Sequence, residues 1–188
     1  FFHDIYFCYT IANMTEFIPS EILNVYKKFQ KAGFDIYLVG GCVRNIILKK
    51  KVKDWDLTTN ATPQDILKLF PDGFYDNKFG TVCLPLEING EKHVIEMTTF
   101  RKEVGFSDKR RPDKVIWGKS IEEDLARRDF TINAIALKIA SDGQKIKTEI
   151  VDPFGGQKDI GEKIIRAVGD PKMRFKEDAL RLMRAIRI

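Results

Sequence analysis

The sequence is poor in the residues that build disulfide frameworks and zinc sites. It has three cysteines, Cys8, Cys42 and Cys83, and two histidines, His3 and His93. The cysteines are odd in number and far apart, so they predict neither a disulfide pattern nor, with so few histidines, a zinc site. A reducing compartment is therefore the simplest expectation: the cytoplasm, or the mitochondrial matrix if the source is eukaryotic.

Long apolar runs are also missing, and nothing approaches the length of a transmembrane span. Residues 1–11 are apolar and aromatic, but Asp4 and the lack of a basic leader make them a poor secretory signal. Of the 188 residues, 44% are hydrophobic, which is enough for a sizeable core. We expect no membrane association and no obligate protein partner, and we regard residues 1–19 as a leader of uncertain status.

Acidic residues are outnumbered by basic ones. The chain has 32 Lys and Arg against 27 Asp and Glu, a formal net charge of +5 and a pI near 9.0. The basic residues concentrate in two stretches, 101–114 and 163–187. Each stretch is either a solvated face or a surface that follows a phosphate backbone. The candidates for RNA contact are Arg101, Lys109, Arg110 and Arg111.

Apolar periodicity and turn signals predict a mixture of helices and strands. Asn89-Gly90 is a strong hairpin signal between two strand-like runs, 81–88 and 92–100. Two helices are expected before it, each with an N-cap residue and a glycine-containing stop: Ser20 to about Lys31, and Thr62 to the turn at 71–73.

One segment has the composition of a phosphate-binding turn. The apolar run 36–39 ends at Gly40 and Gly41, so the backbone can turn tightly and present bare N–H groups to an anion. Arg44 follows in the first turn of a predicted helix, whose N-terminus also favours anions. An ordinary turn is the more common meaning of a Gly-Gly pair, and these residues alone leave that alternative open.

A pair of acids follows at Asp54 and Asp56. In an extended stretch, residues two apart project from the same face, so both carboxylates would meet one metal cluster while Trp55 and Leu57 face the core. Such pairs also occur by chance on solvated surfaces. Beside a triphosphate-binding turn, two hard oxygen ligands indicate magnesium. Asp54 and Asp56 are therefore the predicted metal ligands and catalytic carboxylates.

A third segment joins charge to an apolar pattern. Ser120 begins a capping box that predicts a helix start at Ile121, and residues 130–137 have helical apolar spacing. The charged residues between them form either an exposed salt-bridge cluster on a helix surface or a clamp for a triphosphate, since guanidinium groups suit bidentate phosphate contacts. These residues are Arg127, Arg128 and Asp129.

The last segment is predicted to be one helix that begins at Pro171 and continues to the final residue. Asp178 and Arg181 are three residues apart, so they would share a helix face. They would either form a simple surface salt bridge or point their acceptors and donors at a nucleobase edge.

Together these segments resemble the family of tRNA nucleotidyltransferases and bacterial poly(A) polymerases, the class II branch of the polymerase-β-like nucleotidyltransferases. The resemblance runs from about Ile36 to the end. It implies an α/β (α+β) fold, in which a polymerase-β-like head has a mixed β-sheet flanked by helices and leads into a helical neck. We expect the head at 20–160 and the start of the neck at 161–188, with the family's remaining helical domains absent.

The resemblance also implies site roles. Asp54 and Asp56 would hold Mg²⁺, with Glu96 as a third carboxylate from a neighbouring strand; an ordinary strand-surface glutamate is the alternative there. Asp178 and Arg181 would form a protein template that hydrogen-bonds the Watson–Crick edge of CTP or ATP. The full set of implied nucleotide-binding residues is Gly40, Gly41, Arg44, Arg128, Asp129, Asn133, Glu177, Asp178 and Arg181.

One position departs from the family pattern. Where relatives commonly have Val-Arg-Asp, this chain has Val43-Arg44-Asn45, which keeps a hydrogen-bonding side chain but loses a negative charge. We expect this change to affect fine tuning rather than metal binding.

The implied activity is template-independent addition of CCA to tRNA 3′ ends from CTP and ATP, by two-metal-ion catalysis that releases pyrophosphate. Poly(A) polymerase and CC- or A-adding variants are rivals, because the head motifs are shared. A hypothesis of another class is a catalytically silent RNA-binding module that keeps the fold.

Overall fold

The computed structural model describes residues 14–75, 80–107, 112–141 and 146–188. Short 3-10 helices lie at Met14–Phe17 and Thr131–Asn133. The α-helices are α1 (Ser20–Lys31), α2 (Gly41–Ile47), α3 (Pro63–Leu69), α4 (Ile121–Ala126), α5 (Gly156–Glu162), α6 (Pro171–Glu177) and α7 (Leu180–Arg187). The strands are β1 (Ile36–Val39), β2 (Asp56–Thr59), β3 (Phe74–Tyr75), β4 (Thr81–Ile88), β5 (Glu91–Thr99), β6 (Arg101–Val104), β7 (Lys114–Trp117), β8 (Ala136–Ser141) and β9 (Ile146–Val151).

Seven strands form one mixed sheet in the order β3-β4-β5-β2-β1-β8-β9. β2 and β5 run parallel, and the other neighbouring strands are antiparallel. β6 and β7 form a separate hairpin. The predicted mixed sheet with flanking helices is confirmed. Among the described helices, none has the length and apolar character needed to cross a membrane.

The central strand β1 is buried on both faces, which places the glycine turn after it on a rigid support. Ile36 and Leu38 belong to the larger core, with α1, α2 and α3. Tyr37 and Val39 face a smaller cluster that includes Ile121 of α4 and neighbouring residues. This alternation follows from the two-residue period of a strand.

α1 has the predicted bounds but not the predicted cap. Ser20 is the first helical residue and its hydroxyl donates to Glu21 at 3.0 Å, while Pro19 occupies the N-cap position. The buried stripe of the helix includes Tyr26, whose hydroxyl donates to the Leu137 carbonyl at 2.9 Å. The apolar stripe, rather than capping by Ser20, therefore holds this helix to the sheet.

Other local signals are confirmed. Thr62 caps α3 by accepting from the Asp65 N–H, and Ser120 caps α4 by accepting from the Glu123 N–H. Asn89 has φ +51° in the turn between β4 and β5. These features depend on contacts between residues close in sequence, which is why the sequence reveals them.

The predicted helix over 130–137 is wrong. α4 ends at Ala126, the chain passes through the 3-10 turn at 131–133, and β8 begins at Ala136. β8 pairs with β1 on one side and β9 on the other. The apolar residues are buried as expected, but the neighbouring strands satisfy the backbone hydrogen bonds and override the helical spacing.

The single helix predicted from Pro171 is also wrong, because it is broken into α6 and α7. Asp178 has φ −148° and ψ 109°, and its carboxylate accepts from the Leu180 N–H at 2.9 Å. An aspartate that bonds to a nearby backbone N–H competes with helix continuation. The break determines which way the Asp178 side chain faces.

Candidate functional site

The glycine turn after β1 brings together residues from three distant segments. Gly40 has φ +74°, a conformation that strongly favours glycine. A Cβ at Gly40 would lie 3.1 Å from Nη1 of Arg128 and 3.7 Å from Oδ2 of Asp56. A Cβ at Gly41 would lie 3.7 Å from Nη2 of Arg44. The turn is therefore lined by two guanidinium groups and one carboxylate.

Asp56 is the first residue of β2, whereas Asp54 lies two residues earlier, in a bend. The expected extended stretch therefore does not include Asp54. Trp55 and Leu57 are buried, with 5% and 1% of their surface exposed, so the predicted core-facing alternation is confirmed. Asp56 lies opposite Glu96 in the parallel register of β2 and β5. Asp54 and Glu96 are exposed, whereas Asp56 is partly buried.

The surroundings of Asp56 disfavour the ionised form of its carboxyl group. Burial raises the pKa of the Asp56 carboxyl to about 6; Arg128 opposes the rise, and the negative charges of Glu96 and Asp54 add to it. A carboxylate with a raised pKa gains stability when a cation arrives. The site therefore favours a bound positive charge.

The donor set fits magnesium. In the described ranges, no group of three or more His, Cys, Asp or Glu side chains is gathered as a metal cluster. Magnesium in phosphoryl-transfer sites is commonly held by one or two carboxylates, with substrate phosphates and water completing the shell. Asp54 and Asp56 match that two-carboxylate arrangement, while Glu96 as a further ligand stays a prediction.

The charged cluster at 127–129 is not the exposed helix surface that one prediction offered. Arg127 and Arg128 donate from Nη2 to the two carboxylate oxygens of Asp124, at 2.9 and 3.0 Å. Arg127 also pairs with Glu103 of β6 at 3.0 Å. The cluster is internal because the chain leaves the helix at this point and β6 packs against it.

Asp124 was missed by sequence reasoning. Its side chain is fully buried, and although burial pushes its pKa upward, the charges of Arg127 and Arg128 outweigh that effect and lower it. The available signal was spacing, since Asp124 precedes the two arginines by three and four residues.

A chain of polar contacts links the glycine turn to α7. Nη1 of Arg44 donates to Oδ1 of Asn133 at 2.5 Å, and Nδ2 of Asn133 donates to Oδ1 of Asp129 at 3.3 Å. Arg184 then donates from Nε to Asp129 at 2.9 Å and from Nη2 to Asp178 at 2.8 Å. The chain connects segments that are distant in sequence.

Arg184 was also missed. It follows Arg181 by three residues, the spacing that places two side chains on the same helix face. Partial burial disfavours its charge, but hydrogen bonding to Asp178 and attraction to Asp129 raise its pKa.

Asp178 and Arg181 do not form the surface salt bridge that was one alternative. Both residues are buried, with 7% and 4% of their surface exposed. Nη1 of Arg181 donates to Glu177 at 2.6 Å and to the Arg174 carbonyl at 3.0 Å, while Asp178 bonds to Arg184. The two side chains therefore have different partners, although both line one cleft.

Two clefts meet at Arg184. One, the carboxylate cleft, is lined by Gly41, Cys42, Arg44, Asn45, Lys51, Lys53, Asp54, Asp56, Asn133, Arg184, Arg187 and Ile188. The other, the arginine cleft, is lined by Arg101, Glu103, Phe106, Pro112, Arg127, Arg128, Asp129, Asp178, Arg181 and Arg184.

The RNA-contact candidates are only partly covered by the structure. Arg101 lies in the arginine cleft, largely buried, with its guanidinium 3.2 Å from Glu103. Lys109, Arg110 and Arg111 lie outside the described residues.

The sequence from 36 to 166 matches the family model described as the poly A polymerase head domain. The chain belongs to this family. The resemblance inferred from the motifs is confirmed, and so is the polymerase-β-like head with its mixed sheet.

Relatives with similar sequences and structures are named CCA-adding enzymes. The CCA-adding enzyme of Lactobacillus helveticus is 46% identical over 168 residues, which cover 89% of this chain and 39% of that protein. The crystal structure of the Bacillus stearothermophilus CCA-adding enzyme in complex with CTP superimposes with a TM-score of 0.72 at 40% identity, covering 89% of this chain and 38% of that one.

The Thermotoga maritima CCA-adding enzyme complexed with tRNA has a TM-score of 0.66 at 28% identity, covering 93% of this chain and 38% of that chain. The chain thus spans about two fifths of the length of the relatives it matches.

Proposed function

We propose that this chain is the catalytic head (20–160) and the first part of the neck (161–188) of an enzyme that adds CCA to tRNA 3′ ends. The substrates would be CTP, ATP and the 3′-hydroxyl of the RNA, and pyrophosphate would be released. The observation that carries the proposal is the meeting of Gly40, Arg128 and Asp56, where a Cβ on the glycine would lie within 3.7 Å of both other side chains. The similarity to CCA-adding enzymes supports the choice of substrate.

The geometry suits transfer of a nucleotide from a triphosphate. The glycine turn and Arg128 would hold the phosphates in line with the attacking hydroxyl, where positioning and electrostatics supply most of the catalysis. Asp54 and Asp56 would hold Mg²⁺, which when bound supplies positive charge for activating the hydroxyl and neutralising the leaving group. Without that positive charge, the ionised carboxylate of Asp56 is disfavoured, as its raised pKa shows.

Nucleotide choice would be made in the arginine cleft. Among the described residues, Nε of Arg181 is a buried donor with no hydrogen-bond partner. Asp178 is held by Arg184 and by the Leu180 N–H, so its acceptors have a set direction. A buried guanidinium with a spare donor beside an oriented carboxylate is suited to hydrogen bonding with a base edge.

Product length decides between the family activities. The enzyme would be incubated with Mg²⁺, a tRNA ending before its CCA, and CTP and ATP together or separately. Addition of C, C and then A supports the proposal. A long A tail would favour a poly(A) polymerase, which the name of the matching family model makes the second candidate, and incomplete addition would indicate a CC- or A-adding variant.

Absence of any incorporation by the folded enzyme would favour the silent RNA-binding module. The environment of Asp56 argues against that alternative, because like charges from Asp54 and Glu96 act on a partly buried carboxylate. An arrangement of this kind costs stability when no cation uses it.

Replacing the base-facing arginine tests selection separately from chemistry. We expect Arg181→Ala to reduce discrimination of CTP and ATP against UTP and GTP by roughly ten- to a hundredfold in kcat/KM, because polar base edges lose a partner. The measurement is single-nucleotide incorporation with each triphosphate. Unchanged selectivity would refute the role of Arg181, while Mg²⁺ dependence should survive the change.

A further inference from the structure

The loop between α2 and β2 contains four exposed lysines: Lys49, Lys50, Lys51 and Lys53, here called the lysine loop. Three lysines elsewhere have carboxylate partners at 2.8 to 3.2 Å: Lys68 with Asp65, Lys102 with Glu123, and Lys138 with Asp35.

Within the described ranges, no carboxylate forms a salt bridge with a member of the lysine loop. Glu91 lines a neighbouring cleft together with Lys49, Lys50 and Lys51, but its salt-bridge partner is His93, at 3.8 Å. The positive charges of the loop are therefore available to an anion.

The loop has a fixed backbone. The Lys49 N–H donates to the Ile46 carbonyl at 3.0 Å and the Lys50 N–H donates to the Asn45 carbonyl at 2.8 Å. Val52 packs against the larger core, and the buried Trp55 follows. A loop anchored at both ends loses less conformational freedom when its side chains bind a ligand.

The loop also borders the proposed reaction site. Lys51 and Lys53 line the carboxylate cleft with Asp54 and Asp56. That cleft has five basic residues against two acids: Arg44, Lys51, Lys53, Arg184 and Arg187 against Asp54 and Asp56. In the proposed function, the triphosphate is held by the glycine turn and Arg128, so the lysine side of the cleft is available to the second substrate.

We propose that the lysine loop binds the phosphates of the single-stranded 3′ end of the acceptor RNA and directs its terminal hydroxyl toward Asp54 and Asp56. The inference rests on the proposed function, which places the reacting hydroxyl at these carboxylates. Lys49 is five residues from Asp54, so their backbones are at most about 18 Å apart. At about 3.4 Å per stacked nucleotide, the loop contacts only the last five or so nucleotides.

The test compares two charge-matched triple variants. Lys50→Gln/Lys51→Gln/Lys53→Gln removes three positive charges from the lysine loop, and Lys27→Gln/Lys28→Gln/Lys31→Gln removes three exposed charges from α1. The probes are a fluorescent hairpin RNA with a four-nucleotide single-stranded 3′ tail and the same hairpin with a blunt end. Anisotropy gives the affinity at several salt concentrations.

We expect the loop variant to bind the tailed RNA about 10- to 100-fold more weakly. The slope of log affinity against log salt should become shallower by about 2, since each lost single-strand phosphate contact removes about 0.7. The α1 variant should stay within about twofold of the unmodified protein, and the blunt hairpin should respond little to the loop change. Thermal unfolding of both variants checks that they are folded.

Three results would overturn the inference: equal losses in both variants, an undiminished affinity of the loop variant, or no binding of tailed RNA by the unmodified protein. Nucleotide incorporation by the unmodified protein is measured in parallel. If the unmodified protein incorporates nucleotides and the loop variant binds the tailed RNA normally, the role of the lysine loop is rejected and the proposed function is kept. If the loop variant loses tail binding but the unmodified protein incorporates no nucleotide, the phosphate contact is kept and the proposed function is rejected.

Discussion

Two aspartates near the glycine turn differ in how their charge is compensated. Asp124 is fully buried and receives hydrogen bonds from two guanidinium groups, and its pKa is lowered. Asp56 is less buried, but it has like charges nearby, and its pKa is raised to about 6. A paired buried carboxylate stabilises the fold, whereas an undercompensated one beside a cleft indicates a binding or catalytic role.

Arg128 belongs to both environments. Its Nη2 donates to Asp124 at 3.0 Å, while its Nη1 lies where a side chain on Gly40 would meet it. The structural pair therefore positions the cation that faces the glycine turn. The two aspartates can be distinguished experimentally. Asp56 should be required for the reaction, whereas Asp124 should be required mainly for the stability of the fold.

Asp56→Asn should have the largest effect on activity. Loss of a metal-holding carboxylate removes several kcal/mol of transition-state stabilisation, which is roughly a thousandfold or more in the rate of nucleotide incorporation. Single-turnover incorporation measures this loss. Asp72→Asn, an exposed aspartate in the turn before β3, makes the same charge change and should leave the rate unaltered.

The same variant should be more stable without metal. The folded pKa of Asp56 lies above its ordinary value of 3.8, so ionisation weakens the folded state as pH rises from about 4 to about 6. At pH 7 with EDTA, Asp56→Asn should gain up to about 3 kcal/mol in the free energy of unfolding. Urea unfolding that shows a loss instead would contradict an undercompensated Asp56.

Asp124→Asn should have the opposite signature. Removing the charge of Asp124 leaves Arg128 without its carboxylate partner and Arg127 with Glu103 alone, which costs about 3 to 5 kcal/mol in the free energy of unfolding. The lowered pKa of Asp124 means that its contribution is present above about pH 4 and is lost as pH falls further. Urea unfolding from pH 3 to 7 should show this acid loss in the unmodified protein and a smaller one in the variant.

The smallest effect concerns two glycines that both have positive φ. Gly40 and Gly33 have φ of +74° and +80°, but a Cβ at Gly33 would have nothing within 4 Å. Alanine at either position should cost about 1 to 3 kcal/mol of stability, because residues with a Cβ rarely adopt positive φ. Only Gly40→Ala should also slow incorporation, by roughly ten- to a hundredfold, because it displaces Arg128. If Gly40→Ala and Gly33→Ala were equally active, Arg128 would have no role in the reaction.

Much of the framework was predictable from local sequence. The caps at Thr62 and Ser120, the Asn89-Gly90 hairpin and the alternation around Asp56 all appear as expected. Each depends on backbone preferences or on contacts within a few residues. The motif segments also predicted the family correctly.

The sequence by itself determined the glycine turn, the position of Asp56 on β2 and the apolar stripes of the core, because these follow from periodicity and local backbone chemistry. Only the tertiary structure decided that 136–141 is a strand, since β1 and β9 supply its hydrogen-bond partners. It also decided that Asp178 pairs with Arg184 rather than Arg181, because the helix breaks between α6 and α7. The contact of Arg184 with Asp129 joins segments far apart in sequence and has no local signal. Asp124 is spaced to meet Arg127 and Arg128, but its full burial became evident only in the folded chain.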